Sequence, residues 1–147
     1  VRLPDTSFSF ANCARSLVYG AMVTLKLGMD ILAGENVRMD SLLGHGGFFK
    51  TPGTAQKLLA GALNTPVSVM ETAGEGGPWG MALLAAYRVH REKDETLEDY
   101  LAHHVFAGAN SVTIEPDPED VQGFAVYAQR FEAGLSAERA AVSALKV

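Results

Sequence analysis

The order of elements along this 147-residue chain predicts an α/β fold, a small sheet with surrounding helices. Three observations predict it. A short apolar segment, Val37 to Leu43, runs into the glycine loop Gly44-His45-Gly46-Gly47. An amphipathic helix follows, with Ala55, Leu58, Leu59, Ala62 and Leu63 on one face. A second extended segment, Val67-Ser68-Val69, then runs into Gly74-Glu75-Gly76-Gly77 and another helix. Strand, glycine loop and helix, twice over, describe parallel strands joined by a crossover helix.

Each element has its own signals. From Ser9 to Leu32 apolar residues recur at helical spacing, at Phe10, Cys13, Leu17, Ala21, Leu25, Ile31 and Leu32, with Gly34 as the stop. Gly20 and Gly28 inside it cost about 1 kcal/mol each relative to alanine, which predicts a closely packed neighbour. Thr51 reads as the N-cap of the crossover helix and Pro52 as its first residue. Asn64 and Thr65 end it before Pro66. The next helix reads from Pro78 to Val89, with Trp79, Met81, Leu83, Leu84 and Tyr87 as core. A short helix over Leu97 to Val105 and an extended piece near Val112 to Ile114 come next. Asp117 caps a helix whose first turn holds Pro118, Glu119 and Asp120, where the helix dipole favours negative charge. Gly134 is expected to end that helix and Ser136 to cap a last one through Leu145. Residues 7–90 thus form a helix plus a βαβα core, and residues 91–147 a mainly helical remainder.

Composition narrows the classes. A hydrophobic share of 48% with 20% charged residues is that of a folded domain with its own core. A net charge of −5 argues against a nucleic-acid partner, which is held by clustered Lys and Arg. The one basic cluster, Arg88, His90, Arg91 and Lys93, is followed at once by Asp94, Glu95 and Glu98, and reads as a solvated helix end. The uncharged stretches Ser16 to Leu25 and Gly76 to Tyr87 fall short of the ~20 apolar residues of a membrane span, so no membrane partner is expected. The lone cysteine, Cys13, forms no internal disulfide and points to a reducing compartment, read as the cytoplasm. Its apolar helical setting predicts a buried packing role. The chain begins with Val1 rather than Met, which suggests a piece of a longer protein.

The Gly44-His45-Gly46-Gly47 loop is the strongest chemical signal. Glycines between a strand and a helix let a ligand approach the backbone, and a purine nucleotide needs such a wall. A tight turn without a ligand remains the other reading. The pattern lacks the Lys-Ser/Thr ending of a Walker loop. A dinucleotide reading has Gly44, Gly46 and the strand-end acid Glu71 in its favour, with Phe49 in the place of its third glycine. Glu75 reads as a helix-start acid, Lys50 as solvated, and His45 has no second metal ligand nearby in sequence. His103 and His104, adjacent on a helix, cannot share a metal. No catalytic residue and no metal ligand is assigned.

Several runs together carry a resemblance. They are Gly44-His45-Gly46-Gly47-Phe48-Phe49-Lys50-Thr51-Pro52, then Gln56, then Ala62-Leu63-Asn64-Thr65-Pro66-Val67-Ser68-Val69, then Glu71-Thr72-Ala73-Gly74-Glu75-Gly76-Gly77 and Gly80-Met81-Ala82-Leu83-Leu84-Ala85-Ala86-Tyr87. Thr96-Leu97-Glu98-Asp99-Tyr100-Leu101, Asp120-Val121 with Gly123-Phe124, and Ala133 to Val142 extend the match. The match covers most of the chain, densest from Ser41 to Tyr87, and 1–147 is read as one lobe that resembles the C-terminal domain of FGGY-type carbohydrate kinases, most closely the ribulokinase and xylulokinase-like branch.

The resemblance implies a ribonuclease H-like, actin-type ATPase lobe, truncated, and a cytoplasmic ATP-dependent sugar kinase acting on a pentulose such as ribulose or xylulose. It implies that Gly46, Gly47 and Phe48 wall the adenine and ribose of ATP, with Thr51 near the base edge. It implies that Glu75 to Gly80 pack the next helix. The catalytic aspartate, the sugar pocket and most of the Mg²⁺ site would lie in an N-terminal sugar-binding lobe, the chief expected partner. Val1 to Ser7 would be all that remains of a second phosphate segment. The chain alone is then expected to be inactive, and the apolar face it bares to invite a homo-oligomer. The alternative from another class is a non-enzymatic nucleotide-binding or assembly module that keeps the lobe fold.

Overall fold

The computed structural model describes residues 4, 6–71 and 73–145, without the side chain of Glu75. The sequence expectations placed on Val1 to Leu3, Asp5, Thr72 and the Glu75 carboxylate therefore lie outside the described residues. Among those described, five α-helices and three strands occur in the order α1 (Phe10–Gly34), β1 (Leu42–Gly44), α2 (Thr54–Leu63), β2 (Val67–Met70), α3 (Gly76–His90), α4 (Leu97–Tyr100), β3 (Ser111–Ile114) and α5 (Pro118–Ala144). The fold class is α/β, and the chain divides into two compact units.

One unit holds α1, residues 58–64 and α5. Ser9 caps α1, its hydroxyl accepting from the Asn12 N–H at 3.2 Å. The helix ends at Gly34, the expected stop, and Asn36, in the left-handed region at φ 61°, turns the chain away after it. Its buried residues are Tyr19, Met22 and Val23. Tyr19 meets the Phe124 ring of α5 edge-on at 5.0 Å, and Tyr127 joins them at 5.3 Å from Tyr19. The Tyr127 hydroxyl donates to the Ser16 carbonyl at 3.3 Å, and burial pushes that phenol above its usual pKa, so it stays a neutral donor. The Tyr127 hydroxyl also lies 3.7 Å from where a Cβ on Gly20 would stand, the close neighbour that a mid-helix glycine suggested. Gly28 has no such neighbour.

The buried face of α1 is not the expected one. Phe10, at 91% exposure, Cys13, Leu17, Ala21, Leu25, Ile31 and Leu32 are all exposed. Periodicity identifies a helix but not which of two apolar faces a neighbour covers. Cys13 is exposed because it belongs to the uncovered stripe. By length and composition alone α1 is also apolar enough to cross a membrane. The uncharged-run criterion missed this because a span tolerates a charge or two. Of the residues of α1, Tyr19, Met22 and Val23 are buried, Tyr19 against the Phe124 ring of α5.

α5 starts as expected, with Asp117 accepting from the Glu119 N–H at 2.9 Å and Pro118 in the first turn. It then runs 27 residues without a break. Gly134 does not end it, and Ser136 caps nothing; its hydroxyl donates instead to the Ala133 carbonyl one turn back at 2.9 Å. Gly61, in the α2 portion of this unit, is buried where a Cβ would come within 2.8 Å of Asp120.

The other unit holds the sheet, in the order β1-β2-β3. β1 and β2 pair in parallel, Leu42 opposite Val67 and Gly44 opposite Val69, as the βαβ reading requires. β1 is shorter than the expected Val37 to Leu43 segment. β3 pairs antiparallel with β2, Val67 opposite Ile114 and Val69 opposite Val112, so the sheet is mixed. Ser68 and Thr113 join hydroxyls across that pair at 2.7 Å. On one side of these strands Gln56, at the start of α2, is 5% exposed. Its amide nitrogen donates to the Val67 carbonyl at 3.1 Å and the Val112 carbonyl at 2.8 Å.

α3 begins at Gly76, two residues before Pro78, and none of its residues is fully buried. Met81 and Leu84, expected in the core, are exposed, while Trp79, Leu83 and Tyr87 are half-buried. Trp79 meets Phe106 edge-on at 5.7 Å and Tyr87 meets the buried Tyr100 at 5.4 Å. Thr96 caps α4, which continues as a π-turn over Leu101–Val105.

Candidate functional site

The site is built where β1 ends. Gly44 is buried, and a Cβ there would fall 2.5 Å from the Phe49 ring. That contact lets Phe49 fold back beneath the strand end. Gly46 follows at φ 97°, a conformation that side chains with a Cβ rarely adopt. Its carbonyl accepts from the Phe49 N–H at 3.0 Å, closing a 3₁₀ turn over Gly47–Lys50. A Cβ at Gly46 or at Gly47 would meet nothing within 4 Å. The bend is therefore open on its outer side.

The second glycine loop supports the first from behind. The Gly46 N–H donates to the Ala73 carbonyl at 2.6 Å. The Lys50 stem lies over Gly74, whose Cβ would come 3.4 Å from Lys50 Cε, and a Cβ on Gly76 would come 3.0 Å from His45 Cβ. The absence of side chains at 74 and 76 is what lets the two loops meet. The structure commits the amide of Gly46 to Ala73, so its bare α-carbon is what it offers a ligand.

The helix start differs from expectation. Thr51 is exposed and extended, with φ −90° and ψ 107°, and it does not cap α2. Gly53, at φ 75°, adds a turn, and α2 begins at Thr54 with the Lys57 N–H bonded to the Gly53 carbonyl at 2.9 Å. Two glycines, 46 and 53, thus bracket Gly47, Phe48 and Thr51 on one exposed turn. Phe48 is 47% exposed and meets Phe49 edge-on at 5.5 Å. Phe49 and Ala73, which shape this turn, carried no signal of their own; the partner of Gly44 becomes visible only in three dimensions.

The remaining candidates fall elsewhere. Glu71 is exposed in the turn after β2. His104 bonds Glu95 through Nε2 at 3.0 Å and meets the Tyr100 ring at 5.0 Å. No cluster of three or more His, Cys, Asp or Glu side chains placed to hold a metal occurs among the described residues. An open hollow beside the turn after α3 is lined by Tyr87, Arg91 and residues 92–97, none of which belongs to the glycine turn.

Comparison with known proteins agrees with this architecture. The model of the FGGY family of carbohydrate kinases, C-terminal domain, matches residues 3–89. No curated protein sequence matches the chain. Among solved structures, the ligand-bound xylulose kinase from Lactobacillus acidophilus superposes with a TM-score of 0.60 at 20% identity over 84% of this chain. A gluconate kinase from the same organism gives 0.58 at 19% identity over 83%. The chain covers 24% of the length of each. These likenesses establish the ribonuclease H-like fold of the lobe, and the family match spans more than half of the sequence. The chain belongs to the FGGY family of carbohydrate kinases, as a C-terminal domain.

Proposed function

We propose that the chain is the ATP-binding lobe of a kinase that transfers the γ-phosphoryl group of ATP to a hydroxyl of a pentulose such as ribulose or xylulose. The observation that carries this reading is the open glycine turn between a strand and its crossover helix, in a chain of this family. In this type of sheet, ligands bind outside the carboxyl ends of parallel strands, and the turn leaves the end of β1. Gly46 and Gly47 admit the flat nucleoside against bare backbone, Phe48 offers an aromatic face, and Thr51 offers a hydroxyl at the rim. The xylulose kinase likeness favours a pentulose, while the gluconate kinase shows that the same fold serves a sugar acid.

Phosphoryl transfer also needs aligned phosphates, Mg²⁺ and a group to accept the proton of the sugar hydroxyl. We assign these to an N-terminal sugar-binding lobe of the same polypeptide, consistent with the 24% coverage of the related kinases. The bare stripe of Phe10, Leu17, Leu25 and Ile31 on α1 supports a lobe that is covered when whole. Incubating the 147-residue chain with ATP, Mg²⁺ and L-ribulose or D-xylulose is expected to release no ADP above the no-protein rate. Sugar-dependent ADP release would overturn the assignment of the base to another lobe.

A further inference from the structure

We infer that Gly76 is a positioning residue for the nucleotide turn: without a side chain, it seats His45 against the first turn of α3 and so fixes where Gly46 stands. The inference rests on the turn binding a nucleotide, as proposed above. The second glycine loop touches the first at two points, Ala73 and Gly76. The peptide N–H between His45 and Gly46 donates to the Ala73 carbonyl at 2.6 Å. A Cβ on Gly76 would stand 3.0 Å from His45 Cβ and 3.5 Å from its Cγ and Nδ1. Carbon atoms in ordinary contact sit about 3.5–4.0 Å apart, so the Cβ of an alanine is crowded there. His45 Cβ is bonded to its own α-carbon and cannot swing aside, so relief has to move the backbone at 45. Gly46 is the next residue, held at φ 97° and tied to Ala73, and it takes up that movement. At Gly74 the nearest neighbour is Lys50 Cε at 3.4 Å, the far end of a flexible side chain, which makes Gly76 the stricter of the two. Helix propensity points the other way, because Gly76 begins α3 and alanine is the better helix former. What glycine supplies at 76 is therefore room for His45, not stability of α3.

The test is an ATP–Mg²⁺ titration, followed by backbone NMR, of the 147-residue chain as wild type, Gly76→Ala, His45→Gly, the double variant and Gly80→Ala. Gly80 lies one turn further along α3, where a Cβ would meet nothing within 4 Å beyond its own stretch of helix. Before ATP is added, Gly76→Ala is expected to shift the Gly46 and Gly47 amide resonances, which Gly80→Ala leaves in place. Gly76→Ala should then lose about tenfold in ATP affinity, and Gly80→Ala none. His45→Gly removes the opposing Cβ and should keep most of the affinity, and the double variant should bind ATP as His45→Gly alone does. Should Gly76→Ala not fold, the double variant is expected to regain both the fold and ATP binding. Wild-type affinity in Gly76→Ala, a loss in His45→Gly as large as that in Gly76→Ala, losses that add in the double variant, or a double variant that stays unfolded would overturn the positioning role. Each of these leaves the nucleotide site standing. A wild-type chain with no affinity for ATP would overturn both.

Discussion

Phe124→Ala is expected to cost about 3–5 kcal/mol and to leave the unit built from α1 and α5 largely unfolded at 25 °C. The residue is 1% exposed, and its ring is the edge-on partner of Tyr19 at 5.0 Å. Tyr127 lies 6.0 Å from it on the next turn of α5. Truncation removes a buried aromatic side chain and leaves a hollow that Tyr19 cannot fill without moving α1. Few other residues can share the load, since α5 buries Phe124 alone. A whole domain is stable by only about 5–15 kcal/mol, so a loss of this size takes much of the total. Urea unfolding followed by far-ultraviolet circular dichroism should show an early loss of helix. Leu17→Glu, on the exposed stripe of the same helix system, is the contrast: its change should stay within about 0.5 kcal/mol. Equal effects of the two substitutions would contradict the assignment of the buried face of α1.

Gln56→Leu is expected to destabilise the sheet unit by about 2–4 kcal/mol despite its near-equal volume. The buried carboxamide places two N–H bonds on carbonyls of two different strands, Val67 on β2 and Val112 on β3. A leucine there gains apolar contact but withdraws both donors, one from the buried Val67 carbonyl and one from the part-buried Val112 carbonyl. Unmet acceptors of that kind cost about 1–3 kcal/mol each, more than one buried leucine returns. Gln56→Glu adds a directional check. A carboxylate cannot donate to a carbonyl, and burial raises its pKa, so this variant should be more stable below that raised pKa and lose stability as pH rises through it. Thermal melts at acid and neutral pH read the sign. A Gln56→Leu protein as stable as the wild type would show that the two bonds contribute nothing net.

The local signals were legible where a residue type answers a local need. Asp117 caps a helix because its side chain reaches a free N–H two residues on, a requirement visible in the sequence. The parallel pairing of β1 and β2 follows from strand, glycine loop and helix in that order. What failed depended on partners distant in sequence. Phe10 to Leu32 and the set Tyr19, Met22 and Val23 both fit helical spacing, and only the position of Phe124 selects between them. Gly134 looked like a stop, but a glycine ends a helix only where the chain turns left-handed, and α5 simply continues. The extended piece near Val112 to Ile114 was legible, but not its antiparallel pairing with β2, which lies about forty residues away in sequence. At the site, the glycines were legible and the committed amide of Gly46 was not, because its acceptor, Ala73, belongs to the second loop.

The most direct test is an ATP–Mg²⁺ titration of the ¹⁵N-labelled chain, read residue by residue. Adenosine held on the open turn predicts saturable shifts centred on Gly46, Gly47, Phe48 and Thr51, with smaller ones at Ala73 through its bond to Gly46. Shifts confined to residues after Glu95, or none at millimolar ATP, would contradict a nucleotide site at this turn.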